Sequence, residues 1–212
     1  MSRRLAGAVV ALMFAGSAGP GLHAIRNKPE TTAAPKASVE ATAAEALASG
    51  FTRLEQAERN EAKNPRRARK EYEAALKDFE TSIAAAPGNY RAHNGAGYAL
   101  RKLRQYERAL ASYERALALA PNSSEAIEYR AEAYLALNRL SDVKQAYMFL
   151  FVHDRAASNV LMKAMKVWID TRRAAPEGVQ PAAIDEFEAW VRERDTLAAA
   201  VVNLGHNSPD WK

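Results

Sequence analysis

The 212-residue sequence predicts an all-α protein built from repeated antiparallel helix pairs. Alanine is abundant whereas Gly and Pro number only 10 and 9, and this composition favours long helices over short strands joined by turns. Apolar residues recur at the spacing of one helix face through most of the chain. A pattern of small, aromatic and proline residues also recurs with a 34-residue period, which indicates stacked helix pairs rather than a simple bundle.

The composition excludes several kinds of site. The absence of Cys excludes a disulfide framework, a thiolate metal site, a cysteine nucleophile and a lipid-anchored N-terminal cysteine. The 4 His are too far apart in sequence for a local metal pair, and we expect neither a metal nor a cofactor. With 30 basic and 25 acidic residues the net charge is +5, which is mild for a nucleic-acid-binding protein, so we expect no nucleic acid partner.

Residues 1–24 have the pattern of a secretory signal peptide. Arg3 and Arg4 precede an apolar run that ends at Ala18, and small residues then lead to Ala24. The apolar run is shorter than the ~20 residues that a membrane-spanning helix needs, which argues against an uncleaved anchor. We therefore expect cleavage near Ala24, with Ala18 as the alternative, and a periplasmic or secreted mature chain without a transmembrane segment.

Two of the three repeat copies carry a small residue, an aromatic residue one turn later and a closing proline, and the third copy keeps the aromatic residue. The copies are Ala75, Phe79 and Pro87, then Ala109, Tyr113 and Pro121, then Val143 and Tyr147. The small residue allows two helices to cross closely, and the aromatic continues the same apolar face. Proline ends the helix because it has no N–H to donate, and Asn122 is expected to cap the helix that follows.

This pattern resembles the tetratricopeptide repeat. The residues that stand at the family's spacing are Gly97, Tyr106, Ala109, Tyr113, Ala116 and Pro121. The resemblance covers 72–121 most closely, extends over 124–151 and is weak before residue 64. Val143 replaces the usual small alanine, and Arg155 stands where the third closing proline would be. The resemblance implies a right-handed α-solenoid of about three antiparallel helix pairs.

The first pair is expected to be longer than the others. Gly50 and Ala75 are separated by 25 residues, whereas Gly97 and Ala109 are separated by 12, so the first pair carries about 13 more. Pro65 falls within this insertion and predicts the turn.

The last predicted elements are two helices, Ser158–Thr171 and Ala182–Leu204. A solenoid needs a cap over its last apolar face, so we interpret them as a capping hairpin. The alternative is that Trp168 and Trp190 form an exposed binding patch. The predicted divisions are a signal peptide (1–24), a flexible linker (25–38), repeats (39–155, as 39–89, 90–123 and 124–155), a C-terminal hairpin cap (156–205) and a tail (206–212).

No catalytic signature is recognisable, since the chain lacks a phosphate-binding glycine loop, a zinc motif and a serine elbow. We therefore expect a protein that is not an enzyme. In tetratricopeptide proteins the first helices of successive pairs line a concave groove. The resemblance implies that the following residues face this groove and bind a partner: Arg91, Asn94, Tyr98, Arg101, Lys102, Glu125, Glu128 and Glu132.

The groove would then be basic on one helix and acidic on the next, which suits a peptide or partner segment of mixed charge. The three glutamates are spaced by 3 and 4 residues, so they share one helix face whatever the family. Two simpler roles stay open for these charges: solvation of the helix face, or mutual neutralisation of Arg101 with Glu132 and of Arg91 with Glu125. The carboxylate clamp of some relatives is not expected, because Glu125 and Tyr129 stand where it needs basic residues.

The expected function is a protein–protein interaction scaffold of the bacterial envelope, with a protein or peptide partner. The alternative is an adaptor that docks to an anionic membrane or cell-wall surface through the basic run at residues 66–70. Such a run more often solvates the start of a helix, so membrane-surface contact is the less favoured hypothesis. An unrecognised enzyme is the third.

Overall fold

The computed structural model describes the backbone of residues 36–206 and the side chains of residues 36–200. The predicted signal peptide, both cleavage positions, the linker up to residue 35 and residues 207–212 of the tail lie outside this part. The helices of the described part are α1 (Lys36–Asn60), α2 (Pro65–Ala85), α3 (Tyr90–Lys102), α4 (Tyr106–Leu119), α5 (Ser124–Ala136), α6 (Leu140–His153), α7 (Arg155–Ala174) and α8 (Pro181–His206). Residues 36–206 contain no strand, and the all-α fold class is confirmed.

The helices stack as consecutive antiparallel pairs. Each helix packs against its successor, and the first helices of neighbouring pairs also touch, α1 against α3, α3 against α5 and α5 against α7. These first helices therefore form one layer of the stack, and the second helices form the other. The predicted groove belongs to the layer of first helices.

Helix ends and turns recur with the 34-residue period of the sequence. Helices α5 and α6 begin one full period after α3 and α4 respectively. The turn within each of these pairs has one residue in the left-handed region, Arg104 (φ 63°) and Asn138 (φ 58°), again one period apart. Asn89 caps α3 and Ser123 caps α5 by accepting a backbone N–H. The expectation that Asn122 caps α5 is wrong by one residue, because Asn122 belongs to the preceding turn.

The insertion in the first pair lengthens both of its helices. Helices α1 and α2 have 25 and 21 residues, compared with 13 and 14 in α3 and α4. Pro65 is the first residue of α2, where its missing N–H is not needed, and Asn64 caps the helix by accepting the N–H of Arg67. Helix α1 begins at Lys36, so the last three residues of the predicted linker are helical.

The C-terminal hairpin covers the end of the stack. Trp168 is buried and meets the edge of Phe187 with ring centres 5.3 Å apart. Trp190 is half-buried and meets Tyr147 of α6 edge-to-face at 5.6 Å. Both tryptophans therefore pack within the cap and against the third pair, and they do not form an exposed patch.

Close helix approach depends on glycines that face aromatic rings. A Cβ on Gly97 would lie 2.6 Å from a ring carbon of Tyr113, as the predicted close approach requires. A Cβ on Gly50 of α1 or Gly95 of α3 would lie 2.7 or 2.5 Å from the ring of Phe79. The Phe79 side chain of α2 thus fills the space left by two glycines on two first helices.

Candidate functional site

Helices α1, α3 and α5 line a cavity of about 140 Å³, here called the groove cavity. Three of the predicted partner-binding residues, Asn94, Tyr98 and Glu125, line it. The other lining residues are Phe51, Leu54, Glu55, Glu58, Gly95 and Tyr129. The cavity therefore forms where the layer of first helices converges, in the place that the resemblance implied.

Aromatic side chains form much of the wall. The rings of Tyr98 and Tyr129 meet edge-to-face with their centres 4.9 Å apart. Phe51 meets the buried Phe79 edge-to-face with ring centres 5.1 Å apart, and this contact holds the ring of Phe51 in place. Gly95 has no side chain, and the ring of Phe79 fills the space that a Cβ would occupy there.

Carboxylates surround these rings. Glu55, Glu58 and Glu125 are exposed. The Tyr98 hydroxyl donates to Oε1 of Glu58 at 2.5 Å. The pKa of Tyr98 is raised, first because burial disfavours its phenolate and second because it donates to Glu58. The pKa of Tyr129 is raised in the same way, by burial and by the negative charge of Glu125.

Arg101 is part of the protein's own framework rather than a free cation of the groove. Its side chain is 15% exposed and forms an ion pair with Glu132, whose side chain is 23% exposed. The guanidinium lies 4.9 Å from the ring centre of Tyr98 and 5.5 Å from that of Tyr129. Burial alone would lower the pKa of Arg101, but the charge of Glu132 outweighs burial and raises it. Of the roles that the sequence left open for Arg101, the structure shows neutralisation by Glu132.

Neither Lys102 nor Arg91 lines the groove cavity. Lys102 pairs with Glu61 at 2.6 Å, and Glu61 also accepts the Tyr72 hydroxyl at 2.8 Å. Lys102 thereby lines a second cavity of about 380 Å³ beside the turn between α1 and α2. Arg91 is exposed, and its guanidinium lies 5.2 Å from the ring centre of Phe51 rather than on Glu125.

Two buried acceptors beneath the groove lack a donor. Asn94 and Glu128 are only 4% and 7% exposed, and among the described residues neither Oδ1 of Asn94 nor Oε1 of Glu128 has a hydrogen-bond partner. Burial, followed by the charge of Glu132, raises the pKa of Glu128 far above its usual range, and Arg101 offsets only part of this effect. Glu128 therefore retains a proton at pH values where an ordinary glutamate has lost it.

We expect Glu128→Gln to raise the free energy of unfolding by about 1–2 kcal/mol at about pH 8 and to change it little at about pH 5. A raised pKa means that the folded state holds a proton that the unfolded state releases above pH ~4.3. Glu128 consequently costs stability as the pH rises, and glutamine avoids that cost. Urea unfolding of both proteins at the two pH values measures the difference. An equal difference at both would show that Glu128 titrates normally.

The sequence did not predict six of the residues that line the groove cavity: Phe51, Leu54, Glu55 and Glu58 of α1, Gly95 of α3, and Tyr129 of α5. The insertion before Ala75 breaks the 34-residue register, so α1 could not be aligned with α3 by spacing. Tyr129 was noticed only as a departure from the carboxylate clamp. The sequence contains the pattern that identifies it. Tyr129 stands one full period after Gly95, and so at the equivalent position of the next first helix.

The basic run at residues 66–70 has local partners. Arg67 and Arg69 pair with Glu71 and Glu73 one turn along α2, at 3.9 and 3.1 Å. This arrangement is typical of a solvated helix face. In the described part of the chain, no helix is long and apolar enough to cross a membrane, and no group of three or more His, Asp or Glu residues is placed to hold a metal ion.

The family model described as Tetratricopeptide repeat matches residues 61–124 and, overlapping them, 96–142. The matched region runs from the turn before α2 to the start of α6. No curated protein sequence matches the chain.

Solved structures give more distant similarities. The TPR2B domain of yeast Sti1, in a complex with pHsp70, is 17% identical at a TM-score of 0.42, covering 73% of this chain and 98% of its own. The first TPR of Spaghetti (RPAP3) bound to the HSP90 peptide SRMEEVD is 20% identical at 0.44, covering 56% and 92%. The first TPR domain of human RPAP3 is 18% identical at 0.45, covering 61% and 98%. The helix pairs, their 34-residue period and the family match agree that residues 61–142 are built from tetratricopeptide-like repeats.

Proposed function

We propose that this chain is a non-enzymatic protein–protein interaction scaffold that binds a peptide or partner segment in the groove lined by α1, α3 and α5. The observation that carries the proposal is the groove cavity itself. It combines half-buried aromatic rings with exposed carboxylates and a buried amide oxygen that lacks a donor among the described residues. Aromatic walls with a few convergent polar groups are typical of a binding site.

The groove cavity is small, about 140 Å³, so we propose that it receives one side chain of an extended segment. Neighbouring positions on the first helices would contact the rest of the segment.

We expect short peptides selected from a random display library on the full chain to lose at least about tenfold in affinity for the Glu55→Trp variant. Glu55 is exposed on α1 and lines the cavity, so an indole there obstructs the opening without disturbing the core. Fluorescence anisotropy of the labelled peptides measures the loss.

Glu186→Trp on α8 is the matched control, because Glu186 is also exposed and its replacement changes charge and bulk equally. Circular dichroism verifies that both variants fold. The groove is not the binding site if every selected peptide binds Glu55→Trp as tightly as it binds the control.

We further propose that the protein acts in the bacterial envelope, on the support of the signal-like pattern of residues 1–24. Mass spectrometry of the protein expressed with its native N-terminus tests this location. A processed N-terminus after Ala24 or Ala18, recovered from the periplasm or the medium, is the expected result. An intact N-terminus in the cytosolic fraction would contradict it.

A further inference from the structure

Most of the polar groups that line the groove cavity can accept hydrogen bonds. Three are the carboxylates of Glu55, Glu58 and Glu125, and a fourth is the side-chain amide of Asn94. The Tyr98 hydroxyl already donates to Glu58, so this phenol is not free to donate to a ligand. The carboxylates therefore favour an occupant that brings donors.

Few cations balance these carboxylates. Glu55 pairs with Arg59 one turn along α1 at 3.1 Å, but both side chains are largely exposed, and exposed pairs of this kind contribute little. Arg101 is paired with Glu132, and Lys102 is paired with Glu61 beside a different cavity. Arg91 is exposed, and its guanidinium lies over Phe51 rather than against a carboxylate. The charged residues that line the groove cavity are therefore all acidic.

Asn94 provides a second, independent indication. It is only 4% exposed, lines the cavity and has no donor for its Oδ1 among the described residues. A buried acceptor without a donor is costly, and a ligand N–H would satisfy it.

The aromatic walls select among donors. Cations are attracted to the faces of aromatic rings, and this protein already holds guanidinium groups of its own over Phe51, Tyr98 and Tyr129. A guanidinium is flat and carries five N–H donors, whereas an ammonium is compact and strongly hydrated. A flat group can lie against the rings while its edge donates to the carboxylates and to Asn94.

We propose that the groove cavity recognises a cationic side chain, above all arginine, of the partner segment. This inference rests on the proposed function, since it names the chemistry that the same groove prefers. An acidic segment meets three carboxylates there and is disfavoured.

The test uses the peptides selected on the full chain, resynthesised with each arginine replaced by citrulline. Citrulline keeps the length and planarity of arginine but is neutral and replaces donors by a carbonyl oxygen. We expect one arginine position at which this replacement weakens binding at least about tenfold, the effect of losing a charge-assisted hydrogen bond. The same replacement should matter less at high salt.

The protein side of the test is the Glu58→Gln/Glu125→Gln variant, compared with Glu186→Gln. The groove variant should reduce the preference for arginine over citrulline severalfold, and the control should leave it unchanged. The citrulline comparison does not depend on whether any variant folds.

Each other outcome overturns the proposal. In one such outcome, the selected peptides bind Glu55→Trp more weakly, yet they contain no essential arginine or lysine, or they bind equally well with citrulline. The groove then binds a segment but not through a cation. If no selected peptide is blocked by Glu55→Trp, groove binding itself fails, and the preference for a cation fails with it.

Discussion

Replacing Phe79 by alanine is expected to lower the free energy of unfolding by about 3–5 kcal/mol. The ring is fully buried and occupies the space beside Gly50 of α1 and Gly95 of α3. Since glycines have no side chains to move into the cavity, the site can collapse little after truncation, which places the cost at the upper end. Urea unfolding monitored by circular dichroism measures the change.

Val152→Ala is the control, because Val152 is 72% exposed and surface substitutions usually alter stability by less than about 0.5 kcal/mol. Phe79→Leu should fall between alanine and the wild type, since leucine fills part of the ring's space. If Phe79→Ala lies within about 1 kcal/mol of the wild type, the close approach of α1 and α3 does not depend on the ring.

The same residue links stability to the groove. Phe79 supports Phe51 edge-to-face, and Phe51 is a wall of the groove cavity. A protein that remains folded with Phe79→Ala is therefore expected to bind the selected peptides more weakly, although Phe79 itself does not line the cavity.

The repeat period predicted α2 to α6 well because tetratricopeptide-like pairs are held by local contacts between neighbouring helices. The two helices of each pair pack in the same way, so the small residue, the aromatic residue and the helix end recur together. Gly97 stands at the glycine position of the family's spacing, and the structure shows that it faces the ring of Tyr113. The sequence located the helix boundaries less accurately. Asn122 and Ser123 are both of a residue type that caps helices, and the backbone path decides which of them does so.

The register of α1 could not be derived in the same way. Its position depends on how an insertion is shared between two helices, and spacing alone does not determine that. The sequence did not predict four groove residues for this reason: Phe51, Leu54, Glu55 and Glu58. A search for a second glycine facing Phe79 would have aligned Gly50 with Gly95 and brought these residues to the groove.

Charge pairing was the other part that spacing could not resolve. A helical period predicts which face a side chain occupies, but long side chains choose among several partners on that face. Arg101 and Glu132 were identified as a candidate pair, and they do pair. Lys102 reaches Glu61 in the neighbouring hairpin instead of the groove, and no local pattern contains a contact between residues so far apart in the chain.

Replacing Arg101 by glutamine is expected to destabilise the protein by about 3–5 kcal/mol at neutral pH, the cost of leaving a buried partner charge uncompensated. Arg101 and Glu132 are both largely covered, and Glu128 is more deeply buried beside them. Without the guanidinium, two carboxyl groups share a site that contains no other cation paired to them among the described residues. Urea unfolding at several pH values measures the effect.

The pH dependence identifies the cause. Arg101 holds down the pKa of Glu128, so its loss raises that pKa still further above the value in the unfolded chain, ~4.3, and the folded state holds a proton that the unfolded state lacks. Stability is then retained at acidic pH and lost as the pH rises, and the deficit of Arg101→Gln should be smallest near pH ~5. A deficit independent of pH would show that the variant loses packing against Tyr98 and Tyr129 rather than charge balance.

The double variant Arg101→Gln/Glu132→Gln separates these two causes further. Removing both partners leaves no unpaired charge from this ion pair, so most of the stability should return. That result would indicate that the ion pair neutralises the charge beneath the groove and positions the rings of Tyr98 and Tyr129. The exposed carboxylates of the groove cavity would then remain available to a cationic ligand. If the double variant is as unstable as the single one, stacking of Arg101 on the two rings is what the fold requires.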